Sequence, residues 1–185
     1  PWLAWASFPD PHHPMTPPGQ WYDRHKPADM AVPDSINDPM THAPDYLRHM
    51  QSTEPVDMRG WVAPCGTRDP ALVQEALAAT YGMIEFIDDG VGRILAAIEA
   101  KGQLDNTIVV FTADHGDMMG EHGLMLKGFM PFRGTLQVPM VIVDPTKPGG
   151  RTTSLSSSID LGPTLMDLCG VPTHDGVQGH SLAPL

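Results

Sequence analysis

Ile108-Val-Val-Phe111 is a short, wholly apolar, β-rich run, and together with the polar residues just beyond it narrows the folds open to this chain. A run of this kind reads as a strand buried on both faces of a parallel sheet. Directly after it, past Thr112-Ala113, come a carboxylate (Asp114), an imidazole (His115) and a glycine (Gly116). In open α/β sheets, ligands bind just beyond the carboxyl ends of the strands. A carboxylate and an imidazole side by side there suit a divalent cation. On spacing alone the plainer alternative leads: a polar loop ends the strand, and Asp114 caps the next turn. Lys127, twelve residues beyond His115, can return a fixed positive charge to the same place.

The rest of the chain supplies elements to surround that strand. Leu3 to Phe8 reads as another buried strand. Residues 9–64 are rich in Pro, Asp, His and Met and show little periodicity. A structureless stretch of that length is uncommon inside a compact domain unless it is functional or braced by other parts. Asp69-Pro70 then supplies an N-cap and a first-turn proline. Leu77, Tyr81, Ile84, Ile87, Val91, Ile94, Leu95 and Ile98 follow at helical spacing until Gly102. They predict an amphipathic helix of roughly 30 residues, about 45 Å long, whose Tyr81, Ile84 and Ile87 face the core. Val138–Val143 is a further apolar strand, and 147–151 a Pro-Gly-Gly turn. Ser158 caps a helix running to Leu168, ended by Gly170 and Pro172. The alternation predicts an α/β fold with helices covering a mainly parallel sheet.

Charge and composition exclude several functions. Acidic residues outnumber basic ones 22 to 11, for a net charge of -11. A nucleic-acid partner would require a basic face. An anionic substrate remains compatible, because local charge at a pocket can oppose the global sign. No apolar run approaches the ~20 residues of a membrane span. Pro1-Trp-Leu-Ala-Trp-Ala lacks the basic start of a signal peptide. The chain opens without Met inside a predicted strand, which reads as a fragment and leaves the compartment open. Two cysteines, Cys65 and Cys169, are too few for a disulfide framework.

Longer segments carry a family resemblance. Tyr81-Gly-Met-Ile-Glu-Phe-Ile-Asp-Asp-Gly-Val-Gly-Arg-Ile-Leu95, Leu104-Asp-Asn-Thr-Ile-Val-Val-Phe-Thr-Ala-Asp-His-Gly-Asp117 and Gly120-Glu-His-Gly-Leu124 resemble the sulfatases of the alkaline phosphatase superfamily. Phosphonate monoester hydrolases and phosphodiesterases are their relatives. The likeness extends to Pro9-Asp-Pro-His-His-Pro14 and to Ile159–Pro172. It implies an alkaline-phosphatase-like fold, of which 1–185 would be a single partial domain lacking its nucleophile-bearing N-terminal part and its C-terminal end.

The resemblance also implies a site. It turns Asp114 and His115 into ligands of one divalent ion, calcium in most members and manganese in some. It makes His12, in His12-His13-Pro14, the histidine that donates a hydrogen bond or proton to the ester oxygen. It makes Lys127 the point charge on the sulfate or phosphate oxygens. Asp117 and Glu121 are expected as loop residues, His122 either as a ligand-orienting group or as an ordinary loop histidine, and Met118, Met119, Met125 and Met130 as gap-filling apolar residues. The pattern departs from the family at Cys65-Gly-Thr-Arg68, which does not fit the formylglycine signature Cys-x-Pro/Ala-x-Arg. The family's N-terminal aspartate pair is not found either.

Three functions stand as expectations. The first is a sulfuric ester hydrolase acting on a small-molecule or saccharide sulfate ester. The second is a phosphonate or phosphate ester hydrolase, because the same metal, His and Lys suit both anions. The third is a non-catalytic remnant, or a half-protein that needs the missing half of the domain or self-association.

Overall fold

The computed structural model describes residues 1–52 and 65–185; the part of the predicted irregular stretch at 53–64 lies outside the described residues. The chain divides into two compact units, Pro1–Ile98 with His115–Val138, and Glu99–Asp114 with Pro139–Leu185.

In the first unit the helices are α1 (Asp45–Met50), α2 (Pro70–Glu99) and α3 (Arg133–Leu136). The predicted long helix is present, and its start follows the residues. Asp69 Oδ1 accepts the Ala71 N–H at 2.9 Å, satisfying one of the four donors that a helix start leaves without a partner. The core is Met40, Leu47, Met50, Met118, Leu124 and Met130, with Ala43, Cys65 and Phe132 packed against it. Methionine is over-used here because its unbranched thioether fills irregular gaps between loops. The α2 positions that bury are Val73, Ala78, Thr80, Gly82 and Met83. Tyr81 and Ile84, expected in the core, are 49% and 46% exposed. Glu85, one turn on, instead takes Arg24 (Nε to Oε2, 2.6 Å) and His25 (Nε2 to Oε1, 3.1 Å), which ties these two residues to the helix. Leu3–Phe8 forms no strand: Leu3 is 88% and Trp5 87% exposed. A doubly buried strand requires ladder partners and cover on both faces, and the described residues supply neither.

In the second unit β1 (Val109–Thr112) pairs with β2 (Met140–Val143) in antiparallel register, Val109 opposite Val143 and Thr112 opposite Met140. The mainly parallel sheet predicted from sequence is therefore not what the described residues form. The run is apolar enough for double cover, but a two-stranded ribbon covers neither of its faces, and Phe111 is 43% exposed. The last helix, α4 (Leu161–Leu168), is entered through a short 3₁₀ turn. Ser157, one residue before the predicted cap, forms a reciprocal capping box with Asp160. Asp160 also accepts the His180 N–H at 2.8 Å, and the Ser157 N–H at 2.8 Å; these donors, His180's first, hold its carboxyl below the ordinary carboxylate range. The chain returns to this point through Gly179, at φ +87°, where a Cβ would lie 2.5 Å from the Ile159 carbonyl oxygen.

Among the described residues no helix is long and apolar enough to cross a membrane. Replacing Asp69 with Ala should destabilise the first unit by about 1 kcal/mol, with an unchanged denaturant slope in chemical unfolding followed by circular dichroism.

Candidate active site

Asp114 and His115 follow β1 directly, past Ala113, both side chains are exposed, and the boundary between the two units falls at the bond joining them. The His115 ring is oriented by its own backbone: Nδ1 lies 2.9 Å from the Gly116 carbonyl oxygen. A neutral imidazole that donates from Nδ1 to that carbonyl would carry its lone pair on Nε2, the arrangement a metal-binding imidazole uses. Gly116 is then locked. Its N–H donates to the Thr135 carbonyl at 2.9 Å, and a Cβ would fall 1.9 Å from the Gly134 carbonyl oxygen.

The next residues wind into a closed loop that presents Lys127. Met118 N–H donates to the Leu126 carbonyl at 2.8 Å, and Gly120 N–H to the Leu124 carbonyl at 2.8 Å. Met119, His122 and Leu126 take φ of 44°, 53° and 66°, a left-handed conformation that costs non-glycine residues about 1 kcal/mol or more each. Burial of Met118 and Leu124, each fully inaccessible, offsets that cost. Lys127 emerges half-buried, and among the described residues no ion pair or hydrogen bond engages its ammonium group. A recess of about 500 Å³ in the first unit holds both His115 and Lys127, walled by Tyr46, Phe129, Met130, Pro131 and Leu136.

The His12–His13 turn also belongs to the first unit. The His12 N–H donates to the Pro9 carbonyl at 3.1 Å. The two imidazoles stack with centroids 4.0 Å apart, and His12 Nδ1 lies 2.6 Å from the His13 carbonyl oxygen. The His13 imidazole is lowered by desolvation first, then by the charges of His12 and Lys127, with Asp117 opposing. That coupling puts the turn within electrostatic range of Lys127. The structure thus gathers His115 and Lys127 at one recess and brings the His12–His13 turn within range of Lys127.

One carboxylate and one imidazole make a donor set that suits a divalent cation in kind. It is short in number: among the described residues no group of three or more His, Cys, Asp or Glu side chains gathers.

Sequence reasoning leaves His122 between two roles and does not find its partner. Its Nδ1 lies 2.7 Å from Asp38 Oδ2, and its ring stacks on Phe132 at 4.6 Å. Its N–H donates to Ser35 Oγ at 3.1 Å, and the Gln51 amide spans the Asp38 and His122 carbonyls at 2.6 and 2.7 Å. This network braces the loop that carries Lys127. No local signal could have revealed it, because Asp38 and His122 are 84 residues apart.

Comparison with known proteins identifies the family. The sulfatase family profile matches residues 1–171. An arylsulfatase of Clostridium perfringens is 34% identical over 192 residues, covering 100% of this chain and 37% of the relative. Arylsulfatase K of Danio rerio is 37% identical over 145 residues, 77% of this chain and 27% of the relative. Among solved structures, the phosphonate monoester hydrolase of Agrobacterium radiobacter superposes with a TM-score of 0.82 at 30% identity, covering 100% of this chain and 38% of that one. The chain therefore belongs to the sulfatase family, within the alkaline phosphatase superfamily. It spans little more than a third of the length of the arylsulfatase and the hydrolase it matches along its whole length.

Two measurable outcomes come from this geometry. The Asp38 carboxyl is held low by the Met40 N–H first and by the His122 side chain next. A depressed carboxylate stabilises the fold while ionised, so its contribution is present above the ordinary carboxylate range and is lost as pH falls through the lowered value. Melting temperature should fall as pH drops below the ordinary carboxylate range, and Asp38→Asn should flatten that acid limb. Gly116→Ala should disturb the Thr135 contact and cost about 1–3 kcal/mol, read as a lowered unfolding midpoint.

Proposed function

We propose that this chain carries the metal-binding and anion-binding half of a sulfatase-family active site, and that the protein it serves hydrolyses a sulfate ester. The observation that carries this reading is a half-buried Lys127, unpaired among the described residues, sharing one recess with the His115 imidazole.

In this mechanism Asp114 and His115 would hold a divalent cation, calcium in the first instance with manganese as the alternative. When bound, it supplies positive charge that favours an anionic ester and an ionised nucleophile. Lys127 contributes a point charge to the ester oxygens that counts for more as charge develops there. His12 protonates the departing alcohol oxygen at Nε2, since Nδ1 is turned to the His13 carbonyl. The nucleophile and the remaining metal ligands come from outside these residues: Cys65-Gly-Thr-Arg68 does not fit the signature of a formylglycine precursor. On this reading residues 1–185 are one part of a catalytic domain, and β1 joins a larger, mainly parallel sheet completed by the rest of it. The partly exposed β1–β2 ribbon supports that placement.

A phosphonate or phosphate ester is the second reading, favoured by the likeness to the phosphonate monoester hydrolase. The third, a chain without catalysis of its own until its other half is present, is favoured by the two-ligand donor set. Assays of the complete gene product on aryl sulfate, phenylphosphonate and a phosphodiester separate the first two. Sulfate turnover should have the highest kcat/KM, Lys127→Ala should lower it by about 10²–10³-fold, and Asp114→Ala should abolish its dependence on added calcium. Faster turnover of the phosphorus esters would reverse the choice. Metal-dependent hydrolysis by residues 1–185 alone, lost in Asp114→Ala, would dispose of the third reading.

A further inference from the structure

We propose that His122, held by Asp38, is a positioning residue for ester hydrolysis: it fixes where the Lys127 ammonium group stands in the recess shared with His115. The inference rests on the reading that Lys127 binds the anionic end of the ester.

Lys127 depends on such a device. Among the described residues no ion pair or hydrogen bond engages its ammonium group, so its place follows from the backbone that delivers it. Earlier in the same loop that backbone is fixed at His122 by Asp38, Ser35, Gln51 and Phe132. The His122 Nδ1 lies 2.7 Å from Asp38 Oδ2. An ionised carboxylate only accepts hydrogen bonds, so Nδ1 is the donor. The carboxylate is itself aimed by the Met40 N–H, 2.9 Å from Oδ1. Buried Gln51 donates from Nε2 to the carbonyls of both Asp38 and His122, so the two members of the pair are joined a second time through one side chain. His122 takes φ +53°. A non-glycine residue persists in that conformation where surrounding contacts over-determine it, and such residues cluster at functional sites.

Phe132 connects the same imidazole to the other side of the recess. Its ring stacks on His122 with centroids 4.6 Å apart. Its carbonyl accepts the Thr135 and Leu136 N–H groups at 3.1 and 3.0 Å, and the Thr135 carbonyl accepts the Gly116 N–H at 2.9 Å, next to His115. His122 therefore stands between the segment that presents Lys127 and the segment that carries His115. A displacement of about 1 Å in a group that acts on the reacting atoms can cost about 10²-fold in rate. A run of contacts alone does not establish coupling; a double-mutant cycle measures it.

The cycle pairs His122→Ala with Lys127→Ala in the complete gene product with calcium present. It is read by kcat/KM on aryl sulfate and by the calorimetric Kd of inorganic sulfate. His122→Ala should lower kcat/KM about tenfold and weaken sulfate binding about fivefold. In the Lys127→Ala background the same change should alter either quantity by less than about twofold, because its effect passes through the amine. His122→Asn, whose amide N–H stands where Nδ1 does, should recover most of the loss, and His122→Gln, whose amide reaches the Nε2 position, should not. Should the alanine variant fail to fold, His122→Gln takes its place in the cycle. Three results would overturn the positioning role and leave the anion site standing: a full loss that persists without Lys127, Asn and Gln variants that behave alike, or a lowered unfolding midpoint with kcat/KM unchanged. A Lys127→Ala protein that binds sulfate as tightly as the unaltered one would remove the anion-site reading and this inference together.

Discussion

The bond from the Met118 N–H to the Leu126 carbonyl closes the loop on which the candidate site is built. Within that closure Met118 and Leu124 are driven into the methionine-rich core, and their burial supports three non-glycine residues in left-handed conformation. Lys127 is delivered at the loop's exit without a counter-ion among the described residues. The His122–Asp38 pair and the Gln51 amide brace the loop from the opposite side. Core packing and presentation of the cation are thus parts of one construction. A cavity at Leu124 would be expected to weaken the site as well as the fold.

Much of this is legible in local sequence. The Asp69 cap, the α2 helix, the two short apolar strands and the α4 helix each rest on signals within a few residues: a cap, a period, a glycine stop. The resemblance to sulfatases, carried by Leu104–Asp117 and the segments around it, is borne out by the family match over residues 1–171. The misreadings share one cause. Leu3–Phe8, Tyr81, Ile84 and Ile108–Phe111 are apolar enough to be buried, and sequence pattern reports that demand but not whether a neighbour meets it. In the described residues full cover is absent: Leu3–Phe8, Tyr81, Ile84 and Phe111 stay exposed, and Ile108–Val110 are only half-buried. The Asp38–His122 pair is hidden for a different reason. It joins positions far apart in the chain, and no periodicity encodes a single long-range polar contact.

The site residues differ in the physical support each has. For Lys127 it is half-burial without a partner among the described residues; for His115, a ring oriented by the Gly116 carbonyl; for His12, a turn within electrostatic range of Lys127. Asp114 rests chiefly on its covalent neighbour and on the family to which the chain belongs. On the proposed reading a cation would need more ligands than these two neighbours, since among the described residues no group of three gathers.

The Asp160 knot has a consequence for how this chain can diverge. One carboxylate holds the start of α4 and the returning stretch of chain at His180, and Gly179 passes so close to Ile159 that a side chain there would strike backbone. A replacement at either position cannot be rescued by a change at the other, because one failure is a lost acceptor and the other a steric overlap. Residues 171–178, which are largely exposed, carry no such constraint and can drift or lengthen. Among homologues the α4 corner should therefore appear as two invariant points flanking a segment of freely changing sequence and length.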